Sequence, residues 1–348
     1  MCFVYFIFYL HHMADTPIFG KKNVLITGGA GFIGSHLCER MLKEANVICM
    51  DDFSNSSIHN IEHLLQYPNF EFIKCDVNNP IVLEEYDELD KFNIKFQGVQ
   101  EIYHLACPTS PKQFESHKIQ TLYANSSAMV ATLNLAVKYR AKYVFSSSSV
   151  VYGPPATPGM FFKETHVGQT DHLSERACYD EGKKFAETCI ETYRQVYGVD
   201  AKIARVFTAY GPKMKLRDGL LVPDFIMNAL NGTDLIVYGD ESLSGSLCYV
   251  TDIVDGLARL MRAKPDVFLV NLGSDEAVKM VDVANYIINI THSSSKIVFH
   301  EPLTFLTEKG IPDLQKVKKA LEWIPLVRLE DGLRQVVDYT IANKEIIG

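Results

Sequence analysis

The stretch Lys22–Gly34, KNVLITGGAGFIG, constrains this chain more than any other. Asn23–Thr27 is a short apolar run with β-branched residues, the composition of a strand buried on both faces. Four glycines follow, Gly28, Gly29, Gly31 and Gly34, and then Ile33, Leu37, Met41 and Leu42 fall on one face of a helix. Strand, glycine turn and helix in this order give meaning to the G-x-G-x-x-G match at Gly29, Gly31 and Gly34. A Cβ in such a turn would hold the backbone away from a pyrophosphate, while the helix N-terminus offers free N–H groups and positive dipole to it. The expected dinucleotide contacts here are Gly28, Gly31, Phe32, Ile33 and Gly34.

A second strand, Asn46–Met50, ends in Asp51. A carboxylate there accepts hydrogen bonds from an adenosine ribose and repels a 2′-phosphate. The following Asp52–Ser57 contains no Arg or Lys, so NAD is expected over NADP. The alternative for Asp51 is a loop cap. Phe70–Lys74 reads as a third strand leading to Asp76 and Val77, placed for the adenine, with a loop cap again the competing role for Asp76. Glu84–Gly98 is charged and reads as a surface insertion. Glu101–Ala106 reads as a fourth strand, whose end, Leu105 and Ala106, lets a cofactor pass close to the backbone; His104 within it reads as a core histidine.

Strand and helix patterns alternate through the first two hundred residues, which predicts an α/β fold with a doubly wound parallel sheet. At 348 residues there is room for a second, smaller α/β lobe. The expected division is a dinucleotide-binding domain over 13–212, rejoined by 248–276, and a substrate lobe formed by 213–247 and 277–348. Residues 1–12 have an apolar run too short to span a bilayer and read as a disordered extension. A net charge of −8 without a basic cluster argues against nucleic acid or an anionic membrane as partner. Eight scattered cysteines, with no C-x-x-C and no grouping of metal-ligand spacing, read as reduced thiols of a cytoplasmic protein that holds no metal.

The chemistry is expected at Tyr179-Asp180-Glu181-Gly182-Lys183. Residues four apart project from one helix face, so Lys183 lies beside Tyr179. A nearby ammonium and the positive charge of a bound nicotinamide both favour the phenolate, which brings the phenol toward a working value and makes it a general base for a secondary alcohol. Lys142–Ser147 predicts the fifth strand, in a run of four serines, Ser146–Ser149. At the carboxyl edge of a parallel sheet, such hydroxyls are placed to hold a substrate oxygen. Thr121–Arg140 and Ser174–Val196 read as long helices.

With these motifs the sequence resembles the extended short-chain dehydrogenase/reductases, which include nucleotide-sugar epimerases, dehydratases and decarboxylases. The resemblance rests on TGGAGFIG at 27–34, HLA at 104–106, YDEGK at 179–183, ARVFTAYGP at 204–212 and YVTDIVDG at 249–256. Within that family the UDP-glucuronate decarboxylases are most similar, through 59–81, 102–111 and 174–188. The resemblance implies Tyr179 as base, Lys183 as its partner and Ser148 as the hydroxyl on the sugar's C4 oxygen. It implies a UDP-sugar as substrate, with Pro108, Ser149, Thr208, Val222 and Tyr238 as contacts, and a homodimer paired through the two long helices.

The departures from that pattern cluster around the sugar. The decarboxylases read S-E-V-Y-G where this chain has Ser149-Val150-Val151-Tyr152-Gly153, so Val150 replaces a glutamate. Gly245 stands at the position of their arginine, and Thr208 at that of an asparagine. A lost guanidinium matters most, because it binds carboxylate or phosphate bidentately. Three readings therefore stand open: a decarboxylase-like enzyme with an altered pocket, a 4-epimerase or 4,6-dehydratase, and a catalytically silent NAD-binding sensor.

Overall fold

The computed structural model describes residues 20–109, 116–301 and 310–347; the extension expected at 1–12 lies outside them. Seven parallel strands form the main sheet. They are β1 (Asn23–Thr27), β2 (Asn46–Asp51), β3 (Phe70–Lys74), β4 (Glu101–His104), β5 (Lys142–Ser148), β6 (Ala201–Val206) and, later in the chain, Leu269–Leu272. Their order across the sheet is Leu269–Leu272, β6, β5, β4, β1, β2, β3. The chain builds outward from β1 in one direction and then starts again on its other side with β4. The carboxyl ends of β1 and β4 thus flank the switch point, where ligands of open α/β sheets bind.

The strands are apolar on both faces, and their period of two feeds two separate cores. Val24, Ile26, Val47 and Cys49 enter one core, with Leu37 and Met41 of helix α1 (Phe32–Leu42). Leu25, Ile48 and Met50 enter the other, with Met129 and Leu133 of a helix beneath β4 and β5. The first core runs on without interruption into the C-terminal part, through Phe225, Ile253, Val283 and Trp323.

Two expectations are corrected. The region 84–98 is no surface insertion: Leu83, Leu89, Phe92 and Ile94 are buried in the second core, carried on short 3-10 turns and a single helical turn. The long helix expected over 121–140 is two, α2 (Lys118–Ala124) and α3 (Ser127–Tyr139), interrupted where the Asn125 side chain turns back to the Thr121 carbonyl. Residues 248–276 come back to the main sheet through a helix and an edge strand. Cys248–Tyr249 pairs only with Ala209–Tyr210, Val250–Arg262 is a helix, and the strand that rejoins the main sheet is Leu269–Leu272. Helix α4 (Ala177–Tyr197) packs on both α2 and α3 and carries the Tyr179/Lys183 motif.

Candidate active site

The glycine turn leaves no room for side chains. Gly28 has φ +71°, and a Cβ there would lie 2.7 Å from the Ala106 amide nitrogen at the end of β4. At Gly34 it would lie 2.1 Å from the Gly28 carbonyl oxygen, forcing α1 off the turn. At Gly31 only the Gly28 carbonyl oxygen comes near, at 3.2 Å. Gly31 is the N-cap of α1, with no side-chain cap and no acidic residue in the first turn, so the helix keeps its amide donors for an external anion. This cradle of bare backbone fits a dinucleotide, with Phe32 and Ile33 opening the helix behind it and Leu105 and Ala106 forming the facing edge.

Asp51 acts as the cap that was its competing role. Its Oδ2 accepts from Ala30 N at 3.0 Å, and its Oδ1 from Phe53 N at 3.0 Å and Ser56 Oγ at 2.6 Å. Three bonds leave lone-pair capacity on a carboxylate for a ribose hydroxyl. Burial raises its pKa and the hydrogen bonds oppose that rise. We expect NAD+ to bind tighter than NADP+, as measured by calorimetry with each cofactor; the reverse order would remove the role given to Asp51. Asp76 caps its own loop through Asn78 N at 2.9 Å and Asn78 Nδ2 at 2.8 Å, and Val77 is buried in the second core.

Tyr179 and Lys183, one turn apart on α4, meet the end of β5. Ser148 is the hydrogen-bond partner of the Tyr179 phenol, and its Oγ also faces Val150 N at 3.4 Å. Lys183 donates to the Ser146 carbonyl at 3.0 Å and stands 4.6 Å from the Phe145 ring centre and 5.7 Å from that of Tyr179. Both are buried, at 8% and 3% exposure. In the protein by itself Tyr179 is held above its ordinary pKa, mainly by burial and then by Cys107, with the Ser148 hydrogen bond opposing. Lys183 is lowered, again mainly by burial. For Tyr179, desolvation outweighs the Ser148 hydrogen bond and the Arg176 charge that favour the phenolate.

The substrate-side expectations divide. Ser149 is buried, and its Oγ has no partner within the described protein. Thr208 and Tyr238 are half-buried, the latter edge-on to His300, and Pro108 is half-buried beyond β4. Val222 is buried in the first core, on the same helix as Phe225. Two residues were missed. Asn125 donates to Cys107 Sγ at 3.2 Å, and Lys183 also hydrogen-bonds that sulfur. No spacing in the sequence links 107, 125 and 183. Val150 packs directly on Tyr179, and a Cβ at Gly245 would touch only Met280 Cε, at 3.5 Å. Among the described residues no cluster of potential metal ligands occurs.

His104, read as a core histidine, is fully buried with Nδ1 2.7 Å from Thr27 Oγ1. Burial, aided by the charge of Lys183, lowers its pKa to about 3. The unfolded chain takes up a proton below the ordinary histidine range that the folded chain refuses. Stability should therefore fall as pH drops below about 6.5, by up to ~1.4 kcal/mol per pH unit. Urea midpoints at neutral and mildly acidic pH test this, and a His104→Gln variant with the same acid dependence would refute it.

Residues 24–273 match the family described as the NAD dependent epimerase/dehydratase family. The chain belongs to this family. One relative, UDP-glucuronic acid decarboxylase 1 of Xenopus tropicalis, is 36% identical over 320 residues, covering 92% of this chain and 72% of that protein. Among solved structures, an epimerase of Methanothermobacter thermautotrophicus superposes with a TM-score of 0.83 at 25% identity, covering 94% of each chain. UDP-glucuronic acid 4-epimerase of Bacillus cereus in complex with NAD gives 0.76 at 26% identity, over 92% of this chain and 99% of that one. As a member of the epimerase/dehydratase family the chain is an NAD-dependent enzyme of nucleotide-sugar modification. No helix among the described residues is long and apolar enough to cross a membrane.

Proposed function

We propose that this enzyme oxidises C4 of a UDP-sugar to a ketone, lets the sugar react in that state, and reduces it again. The observation that carries the reading is the meeting of Tyr179, Lys183 and Ser148 at the carboxyl end of β5, beside the glycine cradle. Ser148 holds the C4 oxygen, and Tyr179 takes its hydroxyl proton and later returns it. Lys183, fixed by the Ser146 carbonyl, keeps positive charge beside the ring and favours the phenolate. NAD, when bound, supplies the hydride acceptor and a positive charge that assists this ionisation; Gly28, Gly31, Gly34 and Asp51 would hold it. Burial excludes water from the pair and strengthens each of these interactions.

A C4 ketone makes a C5 carboxylate a β-keto acid, which loses CO2 because the electron pair is accepted as an enolate. That route is the one the relatives' names point to. A 4-epimerase reading is favoured by a specific observation: the wall over Tyr179 is the apolar Val150, which offers a carboxylate nothing. A silent sensor has no use for a buried Tyr/Lys/Ser cluster, and we rank it last. Incubation with UDP-, dTDP-, GDP- and CDP-sugars, with NMR of the products, tests the reading. Failure to convert any of them while NAD is bound would overturn it.

We also propose a homodimer built on α2 and α4. These adjacent helices expose Ile119, Leu122, Tyr123 and Phe185, each more than two-fifths accessible, more large apolar surface than one face of a monomer usually carries. Sedimentation should give twice the chain mass, and Leu122→Glu with Phe185→Glu should halve it; a monomeric parent would refute the assignment. The seven described cysteines are all unpaired, which supports the cytoplasm as the compartment.

A further inference from the structure

Beside the catalytic pair lie two thiols that the proposed reaction does not use. Cys107 follows Ala106 on the loop leaving β4, and Cys178 precedes Tyr179 in the first turn of α4. Both are half-buried, and both pack against the small buried cluster that Val150 and Tyr179 form. Cys178 feels the charge of Cys107. By contrast, Cys38, Cys49, Cys189 and Cys248 are buried away from solvent.

The surroundings of Cys107 are those of a nucleophilic sulfur. Asn125 Nδ2 donates to Sγ at 3.2 Å, and the Lys183 ammonium is a second hydrogen-bond donor to it. Two donors thus converge on this one sulfur, which itself faces the Pro108 carbonyl at 3.5 Å. Partial exposure gives a small oxidant access, which the buried thiols lack. Cys75, the remaining half-buried thiol, has Tyr86 as its hydrogen-bond partner and no cation among the groups acting on it.

We propose that Cys107 is a peroxide-sensitive thiol and Cys178 its resolving partner, so that oxidation closes a disulfide across the active site. The Cys107 thiolate attacks hydrogen peroxide, an S–O bond forms as the O–O bond breaks, and one water leaves after protonation. Sulfur has then given up two electrons to the peroxide. The Cys178 sulfur displaces the sulfenic oxygen as a second water, forming the S–S bond. A dithiol such as dithiothreitol returns both thiols. The bond would draw Cys107 from Lys183 and tether the residue before Tyr179 to the β4 loop, moving both members of the catalytic pair. The thiol chemistry stands apart from the proposed function; only the loss of turnover rests on it.

The test treats the full-length protein with hydrogen peroxide and follows it by peptide mapping and by activity on whichever nucleotide sugar it converts. The expected result is a Cys107–Cys178 linkage that forms before Cys75 is modified, an activity loss of at least about tenfold that tracks it, and recovery of both with dithiothreitol. In Cys178→Ala, oxidation should stop at a sulfenic acid on Cys107 that dimedone traps. The proposal is overturned if Cys107 oxidises no faster than Cys75, or if its sulfenic acid forms in the parent without linking to Cys178. A linkage that forms while turnover stays unchanged would leave the thiol pair standing and count against the catalytic role of Tyr179 and Lys183. The peptide map of the parent decides the chemistry even if a variant fails to fold.

Discussion

Tyr179→Phe should lower turnover by about a thousand-fold or more while leaving NAD binding nearly intact. General acid–base catalysis by a positioned side chain supplies roughly 10²–10⁴ in rate, and no other described group is placed to replace this phenol. The substitution keeps the ring that packs on Val150 and faces Lys183, so the fold should not change. It removes only the oxygen that meets Ser148. Turnover with a sugar from the panel and calorimetry with NAD+ together check the expectation. A variant as active as the parent would remove the catalytic assignment altogether.

Release of CO2 from UDP-glucuronate should be slow or absent, about thirty- to several-thousand-fold below that of the Xenopus relative. The range corresponds to roughly 2–5 kcal/mol, the typical loss when a buried, charge-assisted contact is removed. Two positions account for it. Val150 puts a buried isopropyl group against Tyr179 where a glutamate stands in the decarboxylase pattern. Gly245 puts hydrogen where that pattern has a guanidinium. The position can accept a side chain, since a Cβ there would meet only Met280 Cε at ordinary contact distance. Gly245→Arg should therefore fold, and together with Val150→Glu should raise CO2 release by at least about tenfold. Trapping of CO2 and NMR of the sugar product measure both quantities. Efficient formation of UDP-xylose by the parent would show that these two residues carry no weight.

The two expectations differ in where they come from. The Tyr179 prediction follows from a motif whose members are neighbours in sequence, because four residues on a helix are one turn in space. The UDP-glucuronate prediction needs residues nearly a hundred positions apart and the empty volume beside one of them. For the second, the structure adds that a side chain can start at Gly245, where a Cβ would meet Met280 Cε at 3.5 Å.

The same distinction runs through the molecule. Local pattern alone determined the glycine cradle, the strands from β1 to β5 and the helical register of Tyr179 and Lys183. Each is a matter of backbone sterics or of hydrophobic period within a few residues. Tertiary structure alone decided the rest. It buried Leu83, Leu89, Phe92 and Ile94 from a stretch whose charges suggested a surface, because apolar side chains between charged ones can all turn one way on short 3-10 turns. It turned Val222 into the first core, which its place in the sequence does not report. It set the Tyr179 phenol above its ordinary value, since desolvation depends on everything packed around a group and no sequence neighbour reports that. And it brought Cys107, Asn125, Cys178 and Lys183 to one point, which only the ordering of strands around the β1–β4 switch could do.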